Sequence, residues 1–176
     1  MSGDMVFCFG ANELGRHGGG AARDALAHGA IYGQGFGPQG NAFGIPTCSK
    51  PTNDPDSTIS PETLRYYIYC FILYAKMHPE LTFKVTRIGC GLAGWADAVV
   101  APLFAESPDN CLFDEAWNGT DPAGNVLLPG RKYWGTYGQI AVLPTTAVPP
   151  TSATIDNDPL SLTDGMGTVT LDGINL

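Results

Sequence analysis

The chain has 176 residues, a formal net charge of −8 and an isoelectric point of about 4.6. That acidic balance excludes electrostatic steering toward nucleic acid or anionic lipid, so any phosphate must be held locally, by main-chain N–H groups and a few cations. The length allows one domain with a real core plus an appendage.

The five cysteines, Cys8, Cys48, Cys70, Cys90 and Cys111, are odd in number and form no C-x-x-C pair. A disulfide framework or zinc site is not expected, and reduced thiols fit a cytoplasmic setting. Met1-Ser2-Gly3-Asp4 has neither basic residues nor a signal-type apolar run. The longest apolar stretch, 66–77, is broken by Lys76 and is too short to cross a bilayer. No membrane or nucleic-acid partner, no metal and no cofactor is expected.

Residues 5–9, Met-Val-Phe-Cys-Phe, read as a strand buried on both faces. Gly10-Ala11-Asn12-Glu13-Leu14-Gly15-Arg16-His17-Gly18-Gly19-Gly20-Ala21-Ala22 follows. It predicts a glycine loop opening a helix over 20–27, which Gly29 would end. The first N–H groups of a helix lack internal partners and carry partial positive charge, so such a turn can seat an anion. Arg16 and His17 add side-chain donors. A tight structural turn would use the same glycines. Continued glycines at 29, 33, 35, 37 and 40 raise the binding reading. Residues 29–44 read as loop, then a short strand over 42–47. Their aromatics, Tyr32, Phe36 and Phe43, could cover the core or stack on a base.

Residues 48–59 are a polar surface loop containing Pro51 and Pro55. Ser60-Pro61-Glu62 is a helix start. Leu64, Ile68, Phe71, Ile72 and Ala75 follow at helical spacing, and His78-Pro79 is the stop. Residues 81–88 alternate as a strand. This strand delivers a second loop, Gly89-Cys90-Gly91-Leu92-Ala93-Gly94-Trp95, which opens a helix predicted to run to about Glu106. Two glycine loops at strand ends suit a ligand with two phosphates, held beyond the carboxyl ends of the strands. Residues 111–113 are a short apolar segment, 121–130 are turn-rich and 132–143 are strand material. The order predicts a three-layer α/β/α domain with a mixed sheet over 1–143. Residues 144–154 read as a linker. Residues 155–176, without Lys or Arg, read as a flexible or strand-donating tail and a route to a homo-oligomer.

The segment Val85-Thr86-Arg87-Ile88-Gly89-Cys90-Gly91-Leu92-Ala93-Gly94-Trp95 resembles the second loop of macro domains. Its nearest likeness is the branch of terminal ADP-ribose glycohydrolases and DNA ADP-ribosyl antitoxins. Ala11-Asn12 with Gly18-Gly19-Gly20-Ala21-Ala22 resembles the first macro-domain loop. Ile45-Pro46-Thr47 with Lys50 resembles the segment carrying a catalytic lysine. The stretch 6–104 also resembles small phage-encoded macro-like proteins.

The resemblance implies a cleft for ADP-ribose or a related pyrophosphate nucleotide. Asn12 would meet the distal ribose. The backbone of Gly18, Gly19, Gly20 and Ala21, after Gly10 and Ala11, would hold one phosphate. The backbone of residues 89–94, next to Trp95, would hold the other. Lys50 would be the nucleophile on the anomeric carbon. Two features depart from the pattern. Ala93 stands where the glycohydrolases carry an acid, with Asp97 one turn on reading as a first-turn helix acid. Lys50 sits two places later than the pattern's lysine. Three functions therefore stand open: ADP-ribosyl hydrolysis, non-catalytic sequestration of a nucleotide immune signal, and a structural or accessory phage role.

Overall fold

The computed structural model describes residues 4–136. The strand material over 137–143, the linker and the tail lie outside the described residues. β1 (Met5–Asn12) is the centre of the domain. Its apolar run is buried on both faces, because alternate side chains enter two different cores. Val6 and Cys8 point into the larger core, and Phe7, Phe9 and Ala11 into the smaller one.

The smaller core is closed by α1 (Gly20–Ala25), whose Ala21, Ala22 and Ala25 pack on those β1 side chains. The larger core lies under α2 (Pro61–Met77), α3 (Asp97–Val100) and the 3₁₀ turn Ala101–Phe104. Between these layers runs a six-stranded mixed sheet of order β2-β3-β1-β4-β5-β6. The remaining strands are β2 (Gly37–Gln39), β3 (Ala42–Cys48), β4 (Thr82–Val85), β5 (Cys111–Asp114) and β6 (Lys132–Gly135). Only β2, paired to β3, runs antiparallel. The fold is the expected three-layer mixed α/β arrangement. Among the described residues no helix is long and apolar enough to cross a membrane.

α2 shows why local chemistry was sufficient for this element. The Ser60 hydroxyl accepts from the Thr63 N–H at 3.1 Å, Pro61 occupies the first turn and Glu62 is the first-turn acid. Such a cap contributes about 1 kcal/mol. Leu64, Ile68, Phe71, Ile72 and Ala75 are buried, and a fully buried Leu, Ile or Phe stabilises by roughly 1.5–3 kcal/mol. Asn110 fastens the exit, its Nδ2 donating to the carbonyls of Ala75, His78 and Leu81 at 3.1, 3.0 and 3.1 Å.

Three elements differ from expectation. β4 ends at Val85 rather than Ile88: Thr86 still gives its N–H and its Oγ1 to the Cys8 carbonyl, at 3.2 and 2.8 Å, but Ile88 N–H donates back to the Thr86 carbonyl at 2.7 Å and turns the chain out of the sheet. The third helix is a single α turn that passes into a 3₁₀ turn at Pro102, since proline supplies no N–H to continue the α pattern. β2 was not expected, because Gly-Pro-Gln carries no apolar alternation; its proline is tolerated on the sheet edge.

The glycines of residues 29–44 have a structural reason. A Cβ on Gly35 would stand 2.3 Å from the Asn12 carbonyl oxygen, and one on Gly15 2.3 Å from Gln34 N. This segment lies backbone against backbone on the first glycine loop and buttresses it. At Gly35 the glycine is thus required by packing, whereas Gly33 is exposed and meets open space. Phe43 is a core residue, and Phe36 packs edge-on against it at 5.6 Å, so both cover the core.

Candidate functional site

Parallel pairing brings the carboxyl ends of β1, β3 and β4 to one edge of the sheet. Three connections emerge there: the first glycine loop after Asn12, the Lys50 loop after β3, and the second glycine loop after β4. The second loop packs against β1 at Gly10, and its Leu92 side chain reaches Gly19 of the first loop. A Cβ on Gly10 would lie 3.2 Å from Gly89 N, and one on Gly19 would lie 3.5 Å from Leu92 Cδ1.

Within the first loop, Asn12 is a brace. Its Oδ1 accepts from Arg16 N–H at 2.9 Å and its Nδ2 donates to the Arg16 carbonyl at 3.0 Å. Both polar ends are committed to loop shape, and the side chain is buried. His17 faces the opposite way from the donor role expected of it. Its ring is buried edge-on against Phe9 at 5.2 Å, with Nε2 3.0 Å from the Ile31 carbonyl. Burial pushes its pKa below the ordinary value of 6.5, against the opposing pull of that carbonyl. Arg16 remains exposed. Gly18 is exposed, whereas Gly20 and Ala21 are buried at the start of α1.

The second loop is closed on itself. Cys90, Gly94 and Trp95 donate their N–H groups to the carbonyls of Arg87, Gly91 and Gly89 at 3.1, 3.0 and 2.9 Å. Gly89 and Gly94 take positive φ, 76° and 79°. Trp95 Nε1 donates to the Thr47 carbonyl at 2.8 Å, tying this loop to the end of β3. The N–H groups of Gly19, Gly91, Leu92 and Ala93 donate to no acceptor among the described residues. The N–H groups of Leu14, His17 and Gly20 in the first loop and of Gly89 in the second are unspent as well; Gly19, Gly91, Leu92 and Ala93 are the ones where the two loops approach each other.

Arg87 and Asp97 clamp the base of this loop. Arg87 Nε and Nη2 donate to the two Asp97 carboxylate oxygens at 3.0 and 2.5 Å, and Trp117 Nε1 donates to the first at 2.7 Å. Burial opposes charge on Asp97, but Arg87 and the Trp117 N–H outweigh it and hold the carboxyl below its ordinary range. Asp97 does occupy the first turn of α3, yet its partner is a side chain from before the loop.

No family model, curated protein or solved structure matches the chain. The chemistry of the edge must therefore be read from its own residues.

A recess of about 460 Å³ opens between the first loop and the β3–α2 connection, lined by Leu14, Arg16, Lys50, Pro51, Asn53, Asp54 and Pro55. It takes none of its wall from residues 89–95. Lys50 Nζ lies 3.6 Å from Asp54, and its side chain is 43% exposed. Leu14, Asn53 and Asp54 were not singled out from the sequence; Pro51 and Pro55 marked the loop without marking the recess. Leu92, 37% exposed, leans across toward Gly19 between the two loops. The nearby thiols are inert: burial pushes Cys48 up to about 12 and Cys90 well above its ordinary value, so both stay protonated. All five cysteines are free.

Proposed function

We propose that the carboxyl edge of the sheet binds ADP-ribose or a related pyrophosphate nucleotide, as the resemblance to macro domains implies. The observation that carries this reading is the meeting of two glycine loops whose tips hold unspent N–H donors: Gly19 on one, and Gly91, Leu92 and Ala93 on the other. Main-chain donors of this kind suit a pyrophosphate on an otherwise acidic protein. The neighbouring recess is of ligand size. In this reading it takes one sugar end, with Arg16 and Lys50 as the cations beside it.

Binding without turnover is the form that the local chemistry favours. Ala93 supplies no acid, Asp97 is committed to Arg87 and Trp117, and Lys50 is paired with Asp54 on an open surface. A phage protein that sequesters a nucleotide immune signal would need no more than this. Hydrolysis of an ADP-ribosyl linkage would have to draw on Lys50. Two measurements separate these readings. Isothermal titration with ADP-ribose, its cyclic isomers, NAD and cyclic dinucleotides tests binding. Incubation with ADP-ribosylated protein and DNA tests turnover; release of ADP-ribose that vanishes in Lys50→Ala would establish the enzymatic form.

A further inference from the structure

The outer face of α2 has no part in the site. Opposite its buried positions run Tyr66, Tyr69, Leu73 and Met77, exposed by 63, 57, 40 and 74%. Their spacing puts them in one row along the helix. Scattered exposed apolar side chains need no explanation, but four in a continuous stripe on one helix form a patch of the kind that marks an interface.

The charges on the helix say what kind of partner fits. Glu62 lies in the first turn and Lys76 in the last. Each is seven residues from Tyr69, about 10 Å along the axis, and both fall on the same flank of the stripe. A two-fold axis through Tyr69 would lay Glu62 of one copy against Lys76 of the other, twice, with the helix dipoles antiparallel. Arg65 would fall beside Leu73 of the second copy, where its stem can cover apolar surface. The stripe is thus complementary to itself when run in the opposite direction.

We propose that a second copy of this chain docks on this face, giving a symmetric dimer through antiparallel α2 helices with Tyr69 at the axis. Cys70 gives an independent handle. Of the five cysteines it alone is not buried, and it lies on the opposite flank one residue from the axis. The two Cys70 thiols of the dimer therefore lie near each other across the seam.

The test uses the full chain. Light scattering after size exclusion should give the dimer mass, and a short bismaleimide should cross-link the wild type but not Cys70→Ser. Tyr69→Asp should weaken the dimer by roughly tenfold or more, as expected for a central aromatic, with an unchanged circular dichroism spectrum. Glu62→Lys and Lys76→Glu should each weaken it, and the double swap should restore it. A monomer at the highest soluble concentration overturns the proposal. So does a dimer indifferent to Tyr69→Asp, which would place the interface elsewhere, residues beyond 136 included. Failure of the double swap to restore the dimer overturns the antiparallel register.

Discussion

Arg87 and Asp97 sit on either side of the second glycine loop and join across its base, with two arginine N–H groups on the two carboxylate oxygens at 3.0 and 2.5 Å. The pair turns a run of small residues into a closed ring of chain. It also leaves the Asp97 carboxylate committed to Arg87 and Trp117.

Asp97→Asn should therefore loosen the loop and lower stability by about 1–3 kcal/mol, the cost of leaving charge-assisted donors unmatched. The pairing holds the Asp97 carboxyl below its ordinary value of 3.8. Its contribution is full above that value and is lost as pH falls below it. Urea denaturation across the acid range should show a slope in the wild type that is reduced in Asp97→Asn.

His17 titrates with the same sign at a higher pH. Its folded-state pKa is lowered from 6.5 by burial, so the native state resists protonation. Stability should be full above about 6.5 and should fall as pH drops below it. His17→Gln should flatten that part of the profile, read by thermal melts in a buffer series.

The glycines divide into two testable groups. Gly35→Ala forces a Cβ to 2.3 Å from the Asn12 carbonyl, so it should destabilise strongly, by about 3 kcal/mol or more. Gly18→Ala meets open space and should change stability by no more than about 0.5 kcal/mol. Equal effects of the two substitutions on the denaturation midpoint would contradict the packing described.

Much of this was legible in the sequence where local chemistry settles the outcome. The Ser60 cap, Pro61 and the five inward residues define α2 without any knowledge of the fold. The left-handed Gly29, φ 95°, ends the helical segment that begins at Gly20. Other features depend on partners distant in the chain. The hold of Thr86 on β1 is set by the Cys8 carbonyl, and the role of Gly35 by the carbonyl of Asn12. His17 looked like a loop donor because its neighbours are glycines and arginine; nothing local shows that Phe9 and Ile31 draw the ring inward. The Arg87–Asp97 clamp was hidden for the same reason, since spacing cannot show which way a first-turn acid points.

Leu92 offers a prediction about access. Its side chain leans toward Gly19 across the mouth between the loops, while its own N–H is unspent. Leu92→Ala widens that mouth and removes no donor. Titration with ADP-ribose should give an affinity equal to the wild type or tighter. A marked loss would mean that the leucine side chain, rather than the backbone, makes the contact.

The central claim is that the tips of the two loops together grip a pyrophosphate. Isothermal titration of ADP-ribose into the wild type and into Gly91→Glu tests it most directly, because the φ of Gly91 lies outside the left-handed region, so its backbone conformation does not require glycine. The expected result is saturable binding to the wild type, and none to the variant at an unchanged melting temperature. Equal affinity in the two proteins, or no heat from the wild type with any pyrophosphate nucleotide, would contradict it.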